Sequence, residues 1–183
     1  PVSPEKNRLG MGLTGSRRQP LCPGRRSSRR GARSGTWAAV EAYYLKLMNC
    51  TRTGGSVTAS GDCSGEGTRD VAPLWQDAGI SSKVSRPYAK KLALNNGCTH
   101  YSGGTPPGRL SAAGYPSYVW GENVGCEGGN PYAAVLGDHL FFQRERSSGG
   151  GHYVNLMNPK YDRCGIGVWV VGGKVRLVVD FYH

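Results

Sequence analysis

The sequence predicts an α+β domain built in layers. Three observations carry that reading. Apolar residues recur at helical spacing in three separate segments, two β-rich runs flank a Gly-Gly pair near the C-terminus, and no fixed-period repeat relates them. The chain has 183 residues, enough for one domain or one domain plus a tail. With 38% apolar and 19% charged residues, a wholly disordered or collagen-like chain is excluded despite 29 glycines. No run approaches the roughly 20 apolar residues that a membrane span requires.

Residues 1–36 stand apart from the rest. They hold Lys6, Arg8, Arg17, Arg18, Arg25, Arg26, Arg29, Arg30 and Arg33 against Glu5, a local charge of +8 out of the total +11. Few large apolar side chains accompany them, so burial cannot offset the entropy of ordering, and a disordered basic tail is expected. The remaining body, residues 37–183, carries only +3. A nucleic-acid partner is therefore disfavoured, and the tail has no interleaved aromatic residues for base stacking.

The folded body starts near Ser34 or Thr36, either of which can cap a helix. Trp37, Val40, Tyr44, Leu47 and Met48 give that helix its apolar stripe, and Asn49 with Thr53-Gly54-Gly55 stops it. A Gly/Ser/Thr-rich loop follows over residues 50–70. The spacing of 13 between Cys50 and Cys63 suits a disulfide that staples it. A second helix begins around Ser85-Arg86-Pro87, with Tyr88, Leu92 and Leu94 on its apolar side and Gly97 as its stop. Residues 102–118, rich in Gly, Pro and Ser, predict a long loop. Asn130-Pro131 opens a third helix through Val135, Leu136, Leu140 and Phe142 to about Glu145, ended by Gly149-Gly150-Gly151. Gly167 to Val171 and Lys174 to Phe181 then form a hairpin across Gly172-Gly173, with Val175, Leu177, Val179 and Phe181 on one face.

Six cysteines, Cys22, Cys50, Cys63, Cys98, Cys126 and Cys164, make an even set without a C-x-x-C pair. That disfavours a zinc ribbon and leans toward disulfides in an oxidising compartment.

Four titratable residues stand beside loop or helix-end signals: His100, Glu122, Glu145 and His152. Two imidazoles and two carboxylates make a sensible divalent-metal or acid–base set. Their separations of 22, 23 and 7 positions do not by themselves make them converge.

The segments that hold them are Cys98-Thr99-His100-Tyr101-Ser102, Gly121-Glu122-Asn123-Val124, Phe142-Gln143-Arg144-Glu145 and Gly151-His152-Tyr153-Val154-Asn155. In this order they resemble the four signature blocks of the CAP superfamily (SCP domain), which comprises cysteine-rich secretory, antigen 5 and pathogenesis-related proteins. The likeness runs from about residue 37 to 183. It implies a three-layer α-β-α sandwich with a small antiparallel sheet and a central cleft holding both His and both Glu. It also implies a divalent metal, zinc above all, with His100 and His152 as ligands and Glu122 and Glu145 orienting them or a water. Secretion follows from the same resemblance. Phe141-Phe142 departs from the family pattern, in which many members carry Trp in that region; the short Gly-rich link from Arg146 to Gly151 and the absence of a C-terminal Cys-rich extension look more like bacterial members. For the disulfides the expected pairs are Cys50–Cys63 and Cys98–Cys126, the second tying the His100 segment to the Glu122 segment; Cys22 and Cys164 are expected unpaired.

Several residues take plainer readings. His139 is expected as a partly exposed helix residue and His183 as solvated. Tyr43, Tyr44, Trp75, Trp120 and Trp169 are expected in core or sheet packing. Asn123 and Asn155 are expected to bond loop backbone. Asp62, Asp70 and Asp77 lack EF-hand spacing, and Ser102 and Ser111 lack a nucleophile elbow. Two functions remain open on these grounds. One is a secreted, monomeric binding module for a lipid, glycan or protein; the other is a metal-dependent hydrolase in which Glu122 and Glu145 would be the catalytic carboxylates.

Overall fold

The computed structural model describes residues 37–65 and 71–183. The basic segment 1–36, Cys22 and Asp70 lie outside the described residues.

The elements run α1 (Ala38–Arg52), β1 (Ser56–Val57), β2 (Cys63–Ser64), β3 (Trp75–Gln76), α2 (Ala78–Ile80), a π-helical turn (Ser81–Ser85), α3 (Arg86–Leu94), α4 (Pro106–Ala112), β4 (Trp120–Gly125), α5 (Pro131–Arg144), a 3-10 turn (Glu145–Ser147), α6 (Gly151–Leu156), β5 (Arg163–Val171) and β6 (Lys174–Tyr182). The main sheet has the order β3-β5-β6-β4. Its long strands are antiparallel; the two-residue edge strand β3 is parallel to β5, so the sheet is mixed.

Alternation along β5 and β6 sorts the layers. Cys164, Ile166, Val168, Val175, Leu177, Val179 and Phe181 pack with Val40, Tyr44 and Met48 of α1, Val135 and Phe142 of α5, and Leu156 of α6. On the opposite face Val178 packs with Tyr88, Ala89 and Leu92 of α3, while Tyr182 packs with Ile80, Val84 and Leu110. The result is the α-β-α sandwich. The glycines of β5 allow close approach of the helical layer: a Cβ on Gly167 would lie 2.2 Å from the Ser85 carbonyl carbon.

Two charged side chains buried between layers help to hold them. Glu41 of α1 accepts from Arg86 Nε at 2.8 Å and from the Val168 N–H at 3.3 Å. Arg52, fully buried at the end of α1, donates to the carbonyls of Ala72, Leu156, Asn158 and Tyr161. It replaces water at carbonyls that helix and loop ends leave open.

Four expectations change. The second helix starts earlier, because the Asp77 carboxylate accepts from the Gly79 and Ile80 N–H groups at 2.7 and 2.9 Å and nucleates a turn through loop-like sequence. The segment 102–118 contains α4, capped by Thr105 and opened by Pro106-Pro107. Gly150 is the N-cap of α6, so the triple glycine separates two helices and His152 is helical. Glu122, expected beside a loop or helix-end signal, lies within edge strand β4. Among the tryptophans, Trp75 is 52% exposed, with the Arg163 guanidinium over its ring.

Both expected disulfides, Cys50–Cys63 and Cys98–Cys126, are present, and Cys164 is a buried thiol without a disulfide partner among the described residues.

Candidate functional site

Strand β4 carries one half of the site. Its register sets Glu122 opposite Asp180 of β6. Alternation turns both side chains toward α3 and α4. Glu122 Oε1 meets His100 Nδ1 at 2.8 Å, and Glu122 Oε2 pairs with Arg109 Nη2. Arg109 Nη1 also donates to the carbonyls of His100 and Gly104, each at 3.0 Å, and the guanidinium stacks 3.5 Å from the Tyr88 ring centroid. One arginine thus fastens the His100 loop to the strand. The Cys98–Cys126 disulfide joins the same two segments with a Cα–Cα distance of 6.0 Å.

Burial pushes the Glu122 carboxyl up, and Arg109 pulls the other way. Below it, Asp180 is fully buried; burial first and the Glu122 charge second push its carboxyl up. Asp180 Oδ2 accepts from Ser85 Oγ at 2.6 Å. His100 is pushed down by its partial burial and then by the Arg109 charge, which favours the neutral ring.

The other half is local. Glu145 follows the last residue of α5, and α6 begins at Gly151. Glu145 Oε1 meets His152 Nδ1 at 2.9 Å; Oε2 accepts from the backbone N–H groups of His152 and Tyr153 at 2.9 and 3.4 Å. The carboxylate therefore satisfies first-turn donors of α6 while it orients the ring. Burial pushes Glu145 up, but the hydrogen bonds and charge of His152 outweigh it and hold the carboxyl low. Phe142 stacks on His152 with centroids 4.3 Å apart and planes 14° apart.

Two asparagines stitch the halves together. Asn123 Nδ2 donates to the His152 carbonyl at 3.0 Å, and Asn155 Nδ2 donates to the Glu122 carbonyl at 3.2 Å and to Asn123 Oδ1 at 2.9 Å. They bond strand and helix backbone where loop backbone was expected. His100 and His152 line one cavity of about 340 Å³, together with Asp138, Phe141 and Phe142.

With the geometry in view, similarity to solved structures is informative. An extracellular SCP-domain protein of Bacillus anthracis superposes with a TM-score of 0.57 at 20% identity, over 80% of this chain and 41% of its own. An outer surface protein of Borrelia burgdorferi gives 0.59 at 18% identity, over 79% of this chain and 92% of its own. The chain has the CAP fold. A third CAP-fold match, NaASP2 solved with Zn2+, gives 0.54 at 15% identity over 80% of each chain. The chain spans about two fifths of the Bacillus protein's length. No family model and no curated protein matches in sequence.

The CAP cleft offers a narrow donor set here. Among the described residues no group of three or more His, Cys, Asp or Glu side chains is placed to hold a metal ion. The two imidazoles have their Nδ1 atoms engaged by carboxylates, and neither Nε2 has a hydrogen-bond partner among the described residues. Metal-ligating histidines are commonly supported in this way, with the other ring nitrogen free for the metal. The two imidazoles offer fewer donors than the three or four ligands typical of zinc sites.

Sequence reading missed Arg109, Asp180 and Ser85. For Arg109 the signal was Thr105-Pro106-Pro107, a cap followed by prolines. Asp180 and Ser85 carried no local signal; only strand register and layer packing bring them to Glu122. His139 requires a correction. It is fully buried, with Nε2 2.9 Å from Thr51 Oγ1, and burial pushes its pKa down to about 3. Its helix face turns toward α1 and not toward solvent.

Proposed function

We propose that the chain is a secreted CAP-domain binding module whose cleft holds a divalent metal, zinc, through His100 and His152. Glu122 and Glu145 act as orienting carboxylates. The observation that carries this reading is that a carboxylate holds each imidazole at Nδ1, while neither Nε2 has a hydrogen-bond partner among the described residues. Each carboxylate gives one oxygen to an imidazole Nδ1 and the other to Arg109 or to α6 backbone N–H groups. These contacts give each carboxylate the task of orienting an imidazole, and on that ground binding is favoured over hydrolysis. Bound zinc would supply a Lewis-acidic centre with positions open to a ligand. The same imidazoles would be held in one tautomer, with Nδ1–H donated to the carboxylate.

Two disulfides suit an oxidising compartment, and the extracellular Bacillus protein and the Borrelia outer surface protein share the fold. Among the described residues no helix is long and apolar enough to cross a membrane. NaASP2, solved with Zn2+, supports the choice of ion. The module acts as a monomer on a lipid, glycan or protein.

Calorimetric titration with zinc tests the reading. The wild type takes up one equivalent, and His100→Ala and His152→Ala each lose it. Uptake that survives both substitutions places the ion elsewhere. Incubation of the zinc-loaded protein with a broad peptide library leaves the peptides intact; cleavage that disappears in Glu122→Gln would establish the hydrolase instead.

A further inference from the structure

The His100/His152 cavity lies along the open edge of the main sheet. β4 is the terminal strand of that sheet, and its residues Val124 and Gly125 line the cavity, with Cys126 just beyond them. The pairing with β6 decides which main-chain groups face the cavity. Val175 N–H donates to the Glu127 carbonyl at 2.9 Å, and His183 N–H donates to the Val119 carbonyl at 3.2 Å. Both pairs continue the register of Glu122↔Asp180 and Val124↔Val178. Hydrogen-bonded and non-hydrogen-bonded pairs alternate along an antiparallel ladder. The odd-numbered residues of β4 therefore bond β6, while Trp120, Glu122, Val124 and then Cys126 turn their N–H and C=O groups away from the sheet.

Side chains cover three of these outward groups. Tyr161 Oη donates to the Trp120 carbonyl at 2.9 Å, Asn155 Nδ2 donates to the Glu122 carbonyl at 3.2 Å, and the Cys126 N–H donates to Asp138 Oδ1 at 3.1 Å. Val124 differs. It is only 8% exposed, yet neither its N–H nor its C=O has a hydrogen-bond partner among the described residues. Buried main-chain groups are nearly always paired, and an edge residue with both groups free is a template for another strand. We propose that this cavity takes an extended peptide segment as an added strand on β4, paired to Val124, with a basic side chain directed to Asp138 and Glu127. Such an occupant deepens the binding-module reading of the cleft, on which it rests, and needs no metal.

Charge complementarity selects the side chain. Glu127 and Asp138 line the cavity, and no Lys or Arg does. Asp138 is 5% exposed, and its Oδ2 has no partner. Gly125 lets that carboxylate come close to the strand edge: a Cβ there would lie 2.2 Å from the Asp138 carboxyl carbon. Phe141, exposed on the cavity wall, offers a ring to the stem and head of a basic side chain. The volume of about 340 Å³ falls within the roughly 300–1,000 Å³ of ligand sites and suits a short extended segment. In strand addition the main-chain bonds supply affinity and the flanking pockets supply side-chain preference.

Titration of the full chain with a pentapeptide, Lys-Val-Lys-Val-Lys blocked at both ends, tests it by calorimetry and by amide hydrogen exchange. A chelator is present, so that no metal takes part. The peptide binds, and exchange of the Val124 amide slows at least about tenfold at saturation. A copy N-methylated at every residue binds at least about tenfold weaker, because it cannot donate to the Val124 carbonyl. Val124→Pro weakens the peptide to a similar degree without unfolding the domain, since an outward N–H of an edge strand is where proline is tolerated. Asp138→Asn keeps an acceptor for the Cys126 N–H; it lowers affinity at least about fivefold for the lysine peptide but not for its glutamine counterpart. Zinc uptake is measured separately, without chelator: its absence would strike the metal and leave peptide binding in place. No binding at millimolar peptide, an unchanged Val124 amide, equal affinity of the methylated copy or equal affinity of a glutamate counterpart would each overturn the proposal.

Discussion

The two histidines that line one cavity each meet a carboxylate through the same Nδ1···O contact, at 2.8 and 2.9 Å, yet the two pairs are built differently. His100 and Glu122 come from a disulfide-tied loop and an edge strand, and the Glu122 side chain is 1% exposed. Glu145 and His152 are seven positions apart across a helix junction, and the Glu145 side chain is 19% exposed. The buried carboxylate requires a countercharge, which Arg109 supplies, and it stands over a second buried acid, Asp180. The exposed carboxylate needs neither, because its own helix provides N–H donors. A local pair is held by backbone geometry; a long-range pair is held by charge and covalent linkage.

Removing the countercharge gives the largest predicted effect. Glu122→Gln strands Arg109, and Arg109→Met strands Glu122. Each lowers unfolding stability by about 3–5 kcal/mol, as for a broken buried pair. Chemical denaturation measures this, and a loss no greater than that of Glu145→Gln would erase the contrast between the halves.

Next comes the covalent tie. Cys98→Ser with Cys126→Ser lowers stability by about 2–4 kcal/mol. The same double variant lowers zinc affinity more than Cys50→Ser with Cys63→Ser, because only the first pair joins two segments of the site. Equal losses of zinc affinity would show that the tie does not position His100.

The legibility of these halves in the sequence follows their construction. His100, Glu122, Glu145 and His152 were readable because each lies in a short contiguous block. The C-terminal hairpin was readable because alternation and Gly172-Gly173 act locally. Arg109 was hidden because Gly- and Pro-rich flanks masked the seven-residue helix that presents it. Asp180 looked like an outward-facing strand residue, since the alternation of β6 marks one face as buried and cannot reveal that α3 and α4 cover the other. His139 was misplaced for the same reason: its helix buries a polar residue against Thr51, and no apolar pattern announces that.

A smaller effect separates the halves by pH. The raised Asp180 carboxyl keeps a proton that the unfolded chain releases above its ordinary value near 4, so its contribution to stability falls as pH rises from there toward its raised value. Asp180→Asn removes that fall, flattening the stability profile between pH 5 and 8 by about 1–2 kcal/mol. Glu145 behaves oppositely. Its lowered carboxyl stabilises above the ordinary glutamate value, and that contribution is lost as pH falls through the lowered one. Thermal unfolding across pH reads both signs; an unchanged slope in Asp180→Asn would remove the buried acid from the account.

The smallest effect belongs to the exposed pair. Glu145→Gln costs about 1 kcal/mol or less in unfolding stability, while zinc affinity falls because His152 loses its orienting partner. A fall in stability as large as that of Glu122→Gln would contradict the division drawn here.

The central claim is that the two imidazoles share one ion. Anomalous diffraction from zinc-soaked crystals, collected on both sides of the zinc edge, tests it most directly. The account predicts a single strong peak within bonding distance of Nε2 of both His100 and His152. A cleft without anomalous density, or a peak bonded to other residues, would contradict it.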